Sequence, residues 1–347
     1  MANDNSQIIR KRLLNWYGKN KRTLSWRYEA GETPNPYYVW VSEVMLQQTV
    51  VAAVIPYFEK FIARYPTLSD LACADEAAVM ATWAGLGYYS RARNMIKCAR
   101  IIVADYDGVF PDTEAELLKL AGIGAYTAAA IAAIAFGRAT SPVDGNIERV
   151  ISRLYALTTP LPPLKAEVKE IARTLYPKKR AGDFAQAMMD LGASICAPKN
   201  PDCQQCPCCN YCLAYEKGIA AQLPHRTPKP PKPTRGGIVY WLENRRGQVL
   251  VMQRPDKGLL GGMVCFPSSG WDSENDAALA DIIKTRPMVG EVRHTFTHFH
   301  LTLKVCRASV PKGFRAPNNY FWISPEDFDN YALPSLMRKV AKFASAD

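Results

Sequence analysis

Four cysteines in one short stretch carry the plainest chemistry in this sequence. Cys196, Cys203, Cys206 and Cys212 follow the spacing C-x6-C-x2-C-x5-C. Thiolates this close along the chain can converge on one metal centre, because short loops cost little entropy to close. A single zinc ion and an iron–sulfur cluster both accept four thiolates. Zinc ribbons usually bring two C-x2-C knuckles from separate hairpins, whereas these four cysteines contain one such pair in one compact loop. That favours a 4Fe–4S cluster. Cys208 and Cys209 lie inside the loop and blur the ligand assignment. Cys73, Cys98, Cys265 and Cys306 are scattered and read as core packing.

Two carboxylates come next. Glu43 sits among apolar neighbours in W-V-S-E-V-M-L-Q-Q-T, residues 40–49. Desolvation there would let it hold a proton near neutrality. Asp144 sits in P-V-D-G-N, residues 142–146, where the plain reading is an Asx turn or a helix cap. Between the two lies L-K-L-A-G-I-G-A-Y-T-A, residues 118–128, which reads as helix, tight turn, helix. Gly122 and Gly124 let the backbone approach a ligand closely, and the helix that follows offers free N–H groups to a phosphate. This is how a helix-hairpin-helix grips DNA without reading bases. Gln47 and Gln48 are uncharged donor–acceptors, suited to groups inside a duplex.

These residues need elements to hold them. The 347 residues favour two domains. Forty-three Lys and Arg against 32 Asp and Glu leave +11, which suggests a polyanionic partner. No apolar run is long enough to span a bilayer, and no secretory core follows Met1, so no membrane association is expected. A reducing compartment follows, the cytoplasm (at the nucleoid in a bacterium), with thiols rather than disulfides. The basic, proline-rich stretch 223–236 cannot continue a helix and reads as a linker. Before it, over 1–222, the texture is helical: capping residues open segments at Ser69 and Pro111, and the alanine-rich stretch 126–136 reads as fully buried helix. After it, over 237–347, strands are expected at 237–242, 248–252, 298–305 and 320–323, with a helix over 277–283. The fold class is therefore multidomain, an all-α domain followed by a smaller α+β one.

In their order along the chain, the motifs resemble the adenine DNA glycosylases, the MutY family of base-excision repair enzymes. The resemblance rests on residues 40–49, G-L-G-Y-Y-S-R-A-R-N at 85–94, G-I-G-A-Y-T-A at 122–128, V-D-G-N at 143–146, the cysteine loop and H-T-F-T-H-F-H-L at 294–301. It implies a helix-hairpin-helix glycosylase domain with one 4Fe–4S cluster, and a Nudix-like domain that recognises 8-oxoguanine. It implies a monomer acting on duplex DNA with adenine opposite 8-oxoguanine or guanine. A monovalent cation at the hairpin is a further candidate ligand.

By the same resemblance Glu43 protonates the flipped adenine, and Asp144 stabilises or traps the sugar cation, as carboxylate pairs do in glycosidases. Glu43 should then be raised and Asp144 ionised. Tyr126 stands where the bifunctional endonuclease III branch carries a lysine nucleophile, which implies a simple glycosylase without lyase chemistry. Asn146 helps hold the site. Arg27, Leu46 and Gln186 match the adenine pocket. Gln48 and Tyr88 match wedges in the base stack, beside Thr49 and Leu86. Arg91, Gly122, Gly124 and Lys199 match phosphate contacts, with Lys178 and Lys179 as further basic residues. Phe296, Thr297 and His298 match the lesion-recognition loop, with Thr in place of the more usual Ser. Between Gly262 and Arg293 only Glu274 and Glu291 are glutamates, too few for the Mg²⁺ site of a Nudix hydrolase. Two other readings remain open: a thymine or uracil mismatch glycosylase of the same superfamily, and a non-catalytic iron–sulfur DNA-binding protein.

Overall fold

The structure is a computed structural model that describes residues 5–29, 31–228, 230–271 and 288–345. By contacts the chain forms two compact units, 1–69 with 97–229, and 70–96 with 230–347. Residues 70–96, which the sequence reading assigns to the helical domain, thus group with the C-terminal sheet. Among the described residues no helix is long and apolar enough to cross a membrane.

The first unit is helical. Its α1 (Ser6–Asn20), α2 (Pro36–Met45) and α3 (Val51–Arg64) precede α4 (Leu68–Cys73), α5 (Glu76–Trp83) and α6 (Ser90–Asp105), the last three lying wholly or partly in the second unit. Then come α7 (Glu114–Leu117), α8 (Ala125–Phe136), α9 (Gly145–Leu154), α10 (Leu164–Leu175), α11 (Ala181–Ser194) and the single turn α12 (Leu213–Glu216). Asn35 starts α2 by accepting from the Tyr37 N–H at 2.9 Å, with Pro36 at the first helical position. Residues 39–45 of α2 are all buried, so this helix lies inside the unit and not on its surface. The alanine-rich α8 is buried around most of its circumference, as its sequence implies, and ends on Gly137 in the left-handed conformation. One core joins Ile9 and Leu13 of α1, Ile147, Val150, Ile151 and Leu154 of α9, Leu164 and Val168 of α10, and Phe184, Met188 and Leu191 of α11. The capping signal at 111–114 yields only the four residues of α7.

The second unit is built on a mixed sheet of β1 (Thr234–Glu243), β2 (Val249–Gln253), β3 (Val264–Cys265), β4 (Ser268–Ser269), β5 (Met288–Thr295), β6 (His300–Ser309) and β7 (Tyr320–Ile323), followed by α13 (Ser335–Ala344). The order β3-β2-β1-β6-β5 puts β1 and β6 parallel at the centre, with β4 on β1 and β7 on β2. The expected hairpin is present: Glu243 pairs with Val249, and Asn244 Oδ1 accepts from the Arg246 and Gln248 N–H groups across the turn. The expected strand over 298–305 starts later, at His300, because residues 296–299 form the β5–β6 turn, in which the Phe296 N–H bonds Phe299 O. The expected helix over 277–283 lies outside the described residues.

The linker is more structured than its composition suggests. His225 O accepts from the Leu161 N–H, Thr227 bonds Leu161 O, and β1 already begins at Thr234. Of the four cysteines read as packing, Cys98, Cys265 and Cys306 are buried, and Cys73 is exposed. Cys73 is the last residue of the short α4.

Close approach of α11 to α8 depends on Gly182. A Cβ there would lie 2.5 Å from Ala133 O and 2.8 Å from Ile134 Cα, both backbone atoms. Gly182→Ala is expected to lower stability by about 1–3 kcal/mol, because two helices must separate. A urea midpoint unchanged from the wild type would show that the helices yield freely.

Candidate active site

Glu43 lies in the last two turns of α2, 7% exposed. The side chain of Tyr126, from the first turn of α8, hydrogen-bonds to it, the phenol donating to the carboxylate. Packing of α2 against α8 makes this possible, and Gln47 Nε2 pins the two helices together on Thr127 Oγ1 at 3.2 Å. Asp144 is the N-cap of α9: its Oδ1 accepts from the Ile147 N–H at 2.7 Å, and its Oδ2 from Asn146 Nδ2 at 2.9 Å. The capping reading and the catalytic one therefore describe the same residue. Glu43, Tyr126 and Asp144 interact electrostatically as one group, with Arg27 in range.

Burial pushes Glu43 up to about 7, the Tyr126 hydrogen bond pulls it down, and the Asp144 charge raises it. Burial also raises Asp144, but the Ile147 and Asn146 hydrogen bonds and the Arg149 charge work against that rise. The two acids therefore differ in support: three donors hold the Asp144 anion, and one phenol faces Glu43. Burial and the two carboxylates push Tyr126 well above the ordinary phenol range, so it stays a donor at any physiological pH.

Arg27 is held by a residue that the motifs do not reveal. Asp190 on α11 is 1% exposed and accepts from Arg27 Nη1 at 2.6 Å and Nη2 at 2.8 Å, and from Arg22 Nε at 2.5 Å. Burial alone would raise Asp190; the two guanidiniums reverse this and hold it below its ordinary range. Arg27 also sits 5.9 Å from the Tyr17 ring centre. Gln186, one turn before Asp190, lines a cleft of about 630 Å³ with Tyr17, Trp26 and Ile134. Arg27, held by Asp190 four residues after Gln186 on the same helix, lies in electrostatic reach of Glu43. Leu46 caps the end of α2, half-buried. An acid four residues beyond Gln186 on an apolar helix was the one available signal for Asp190.

The hairpin presents its backbone outward. Gly122 adopts φ +75°, and Gly124 is the N-cap of α8 with no side chain closing the helix end. Both are exposed, and a Cβ at Gly124 would touch nothing. Open N–H groups at a helix start are a ready phosphate site. Gln48 is exposed with φ +61°, next to half-buried Thr49, and Lys199 is exposed on the cysteine loop.

Cys196, Cys203, Cys206, Cys209 and Cys212 line one small pocket beside Arg153. Arg153 is 1% exposed; its Nη1 donates to Cys196 Sγ at 3.2 Å, and its other bonds go to the carbonyls of Cys196, Ala197, Pro198 and Leu223. Among the described residues it has no carboxylate partner, and a guanidinium so deep needs a counter-charge. A thiolate-bound centre supplies one, so the residues fit such a centre. Among the described residues no three His, Cys, Asp or Glu are gathered as a cage for one metal ion. Arg149 extends the connection to the acids: its Nε bonds Cys196 O at 2.8 Å, and its Nη2 bonds Asn146 Oδ1 at 2.9 Å.

In the second unit Tyr88, φ +49° and 44% exposed, bonds Thr297 Oγ1 through its hydroxyl at 2.6 Å. Both line a pocket of about 360 Å³ with His294, Phe296 and His298. Thr297 therefore does with its hydroxyl what a serine there could do. Leu86 is buried. Arg91 is 8% exposed, its Nη2 bonds Leu86 O and Gly87 O, and it lies against the Trp83 and Tyr88 rings, so in the free chain it holds the 85–88 loop.

Residues 41–178 match the HhH-GPD superfamily of base excision DNA repair proteins, and residues 238–342 match the NUDIX domain. The human adenine DNA glycosylase is 35% identical, over 96% of this chain and 73% of the human one. This chain belongs to the adenine DNA glycosylase family. The adenine DNA glycosylase of Buchnera aphidicola (subsp. Baizongia pistaciae) is 31% identical over 96% of this chain and 95% of its own. A thermostable thymine-DNA glycosylase superposes with a TM-score of 0.55 at 28% identity, covering 62% of this chain and 98% of that one. Family membership makes the chain a DNA glycosylase of base excision repair, with its helical fold shared across substrates.

The raised Glu43 has a cost in stability. Between its unfolded value of 4.5 and its folded value of about 7, the folded chain binds more protons than the unfolded one, so stability falls as pH rises. Glu43→Gln is therefore expected to stabilise the protein more at pH 8 than at pH 4, by up to about 3 kcal/mol. Melting curves of both proteins across that range check it, and a constant difference would mean that Glu43 titrates normally.

Proposed function

We propose that this chain hydrolyses the N-glycosidic bond of adenine opposite 8-oxoguanine or guanine in duplex DNA, as a monomer in the cytoplasm. The observation that carries this reading is Glu43, buried, raised to about 7 and hydrogen-bonded by Tyr126, beside an Asp144 capped by three donors. Half-protonated at neutrality, Glu43 can give a proton to the ring of a flipped adenine, which turns a poor leaving group into a good one. The sugar is left with positive charge, and the Asp144 carboxylate is placed to stabilise it, electrostatically or by a covalent bond that water then opens. Glu43, now ionised, accepts the proton of that water. Tyr126 orients the Glu43 carboxyl throughout. Its phenol cannot form a Schiff base with the sugar, so the product is an abasic site. Arg27 and Gln186 contribute to adenine selection, and Tyr88, Phe296, Thr297 and His298 to reading 8-oxoguanine.

Cys196, Cys203, Cys206 and Cys212 would hold one 4Fe–4S cluster. Thiols spread around a pocket, and not gathered on a point, suit a polynuclear cluster better than a single zinc. When bound, the cluster fixes the loop that carries Lys199. The hairpin at Gly122 and Gly124 takes a phosphate on its open N–H groups, with a monovalent cation as a further ligand there.

Single-turnover incubation with a duplex carrying adenine opposite 8-oxoguanine tests the chemistry, with one aliquot heated in alkali and one not. Breaks only after alkali are expected. Breaks without alkali would mean a lyase nucleophile, and uncut but bound duplex would mean a non-catalytic binder. Lys199→Ala is expected to weaken binding uniformly and to reduce the log–log salt slope by about 1. An unchanged slope would remove Lys199 from the DNA interface.

A further inference from the structure

The cysteine loop holds two more thiols than the proposed cluster needs, Cys208 and Cys209, and of these Cys209 lines the same pocket as the four. Backbone bonds run from the Cys206 N–H to Cys203 O at 3.3 Å, from Cys209 to Cys206 at 3.2 Å, and from Cys212 to Cys209 at 3.1 Å. These are separate single turns, at Cys203–Gln205 and Cys209–Tyr211, with Cys206 in extended backbone between them. Cys203, Cys206, Cys209 and Cys212 are spaced as C-x2-C-x2-C-x2-C, and all four line the same pocket with Cys196. Cys209 is half-buried, and its thiol makes only a long contact of 3.4 Å, to Asn210 Oδ1. Cys208 behaves differently: it is fully buried in the helical core and is not among the pocket's residues.

We propose that Cys209 is a spare thiolate ligand of this centre, able to take the iron that Cys212 holds when Cys212 is lost. The inference rests on the iron–sulfur reading of the loop. The exchange is a ligand substitution. The bond from iron to the Cys212 sulfur is absent, or breaks with that sulfur taking up a proton; the Cys209 thiol gives its proton to solvent, and its sulfur forms the new bond. No electron is transferred, and the charge on the centre is unchanged.

The test compares anaerobically purified wild type, Cys212→Ser, Cys209→Ser and the double variant by iron and acid-labile sulfide content and visible absorption. Wild type and Cys209→Ser are expected to hold about four irons, Cys212→Ser to keep more than about half of that, and the double variant to keep almost none. Native alkylation read by mass spectrometry should modify Cys209 in the wild type and spare it in Cys212→Ser. Loss of iron from a folded Cys212→Ser as complete as from the double variant would overturn the proposal. Should Cys212→Ser not fold, chelator challenge of wild type against Cys209→Ser decides: several-fold faster iron loss without Cys209 supports the proposal, and equal rates overturn it. A wild type without iron or sulfide would overturn the cluster reading itself, and this proposal with it.

Discussion

A carboxylic acid that keeps its proton at neutrality must be taken out of water, and it must not be given a cation in exchange. The helical unit is arranged around that constraint at Glu43. Its helix α2 is buried over residues 39–45, so the acid reaches no bulk solvent through its own neighbours. The nearest strong donor is a phenol, which bonds the carboxylate without neutralising it. The one nearby guanidinium, Arg27, is already bound by Asp190 through both nitrogens. The Arg22–Arg27–Asp190 group gives that guanidinium a buried counter-charge of its own, while the Arg27 charge still reaches Glu43 and works against its rise.

Asp144 is built on the opposite plan, and the plan reaches the cysteine loop. As the cap of α9 it receives the helix's first free N–H groups, which favour an anion at that end. Asn146 donates to it, Arg149 holds Asn146, and Arg149 and Arg153 both bind Cys196 O. Gly192 completes the seat, since a Cβ there would lie 2.7 Å from Asn146 Cβ. A continuous run of hydrogen bonds therefore links the thiol pocket to the capping carboxylate. The 196–198 carbonyls, the two arginines and Asn146 are thus one packed unit with the cap of α9.

What could be read from the sequence was local. The cysteine spacing, the alanine-rich α8, the glycine turn before it, the 243–249 hairpin and the β7 strand all depend on residues within a few positions of each other. What could not be read depends on partners far away in the chain. Asp190 meets Arg27 across 163 residues, and nothing in either stretch names the other. The parallel pairing of β1 with β6 joins strands nearly sixty residues apart, and no turn between them announces it. The inward bonds of Arg91, near the start of α6, to two carbonyls and against two aromatic rings were likewise not legible, since neither its type nor its neighbours in sequence give its burial.

The two residues matched to base-stack wedges share a property that no motif displays. Gln48 and Tyr88 both adopt left-handed backbone, at φ +61° and +49°. For residues with a Cβ this costs about 1 kcal/mol or more and persists only where the surroundings enforce it. At Gln48 the enforcement comes from the neighbour, since Gln47 is tied to Thr127 on α8. At Tyr88 it comes from Gly85 and Gly87, themselves at φ +110° and +72°, and from Arg91 clasping the Leu86 and Gly87 carbonyls. Both residues are exposed in the free protein, Tyr88 with its hydroxyl on Thr297. A wedge that must enter a base stack does unfavourable work on the duplex, and a wedge already ordered loses little further entropy when it does so.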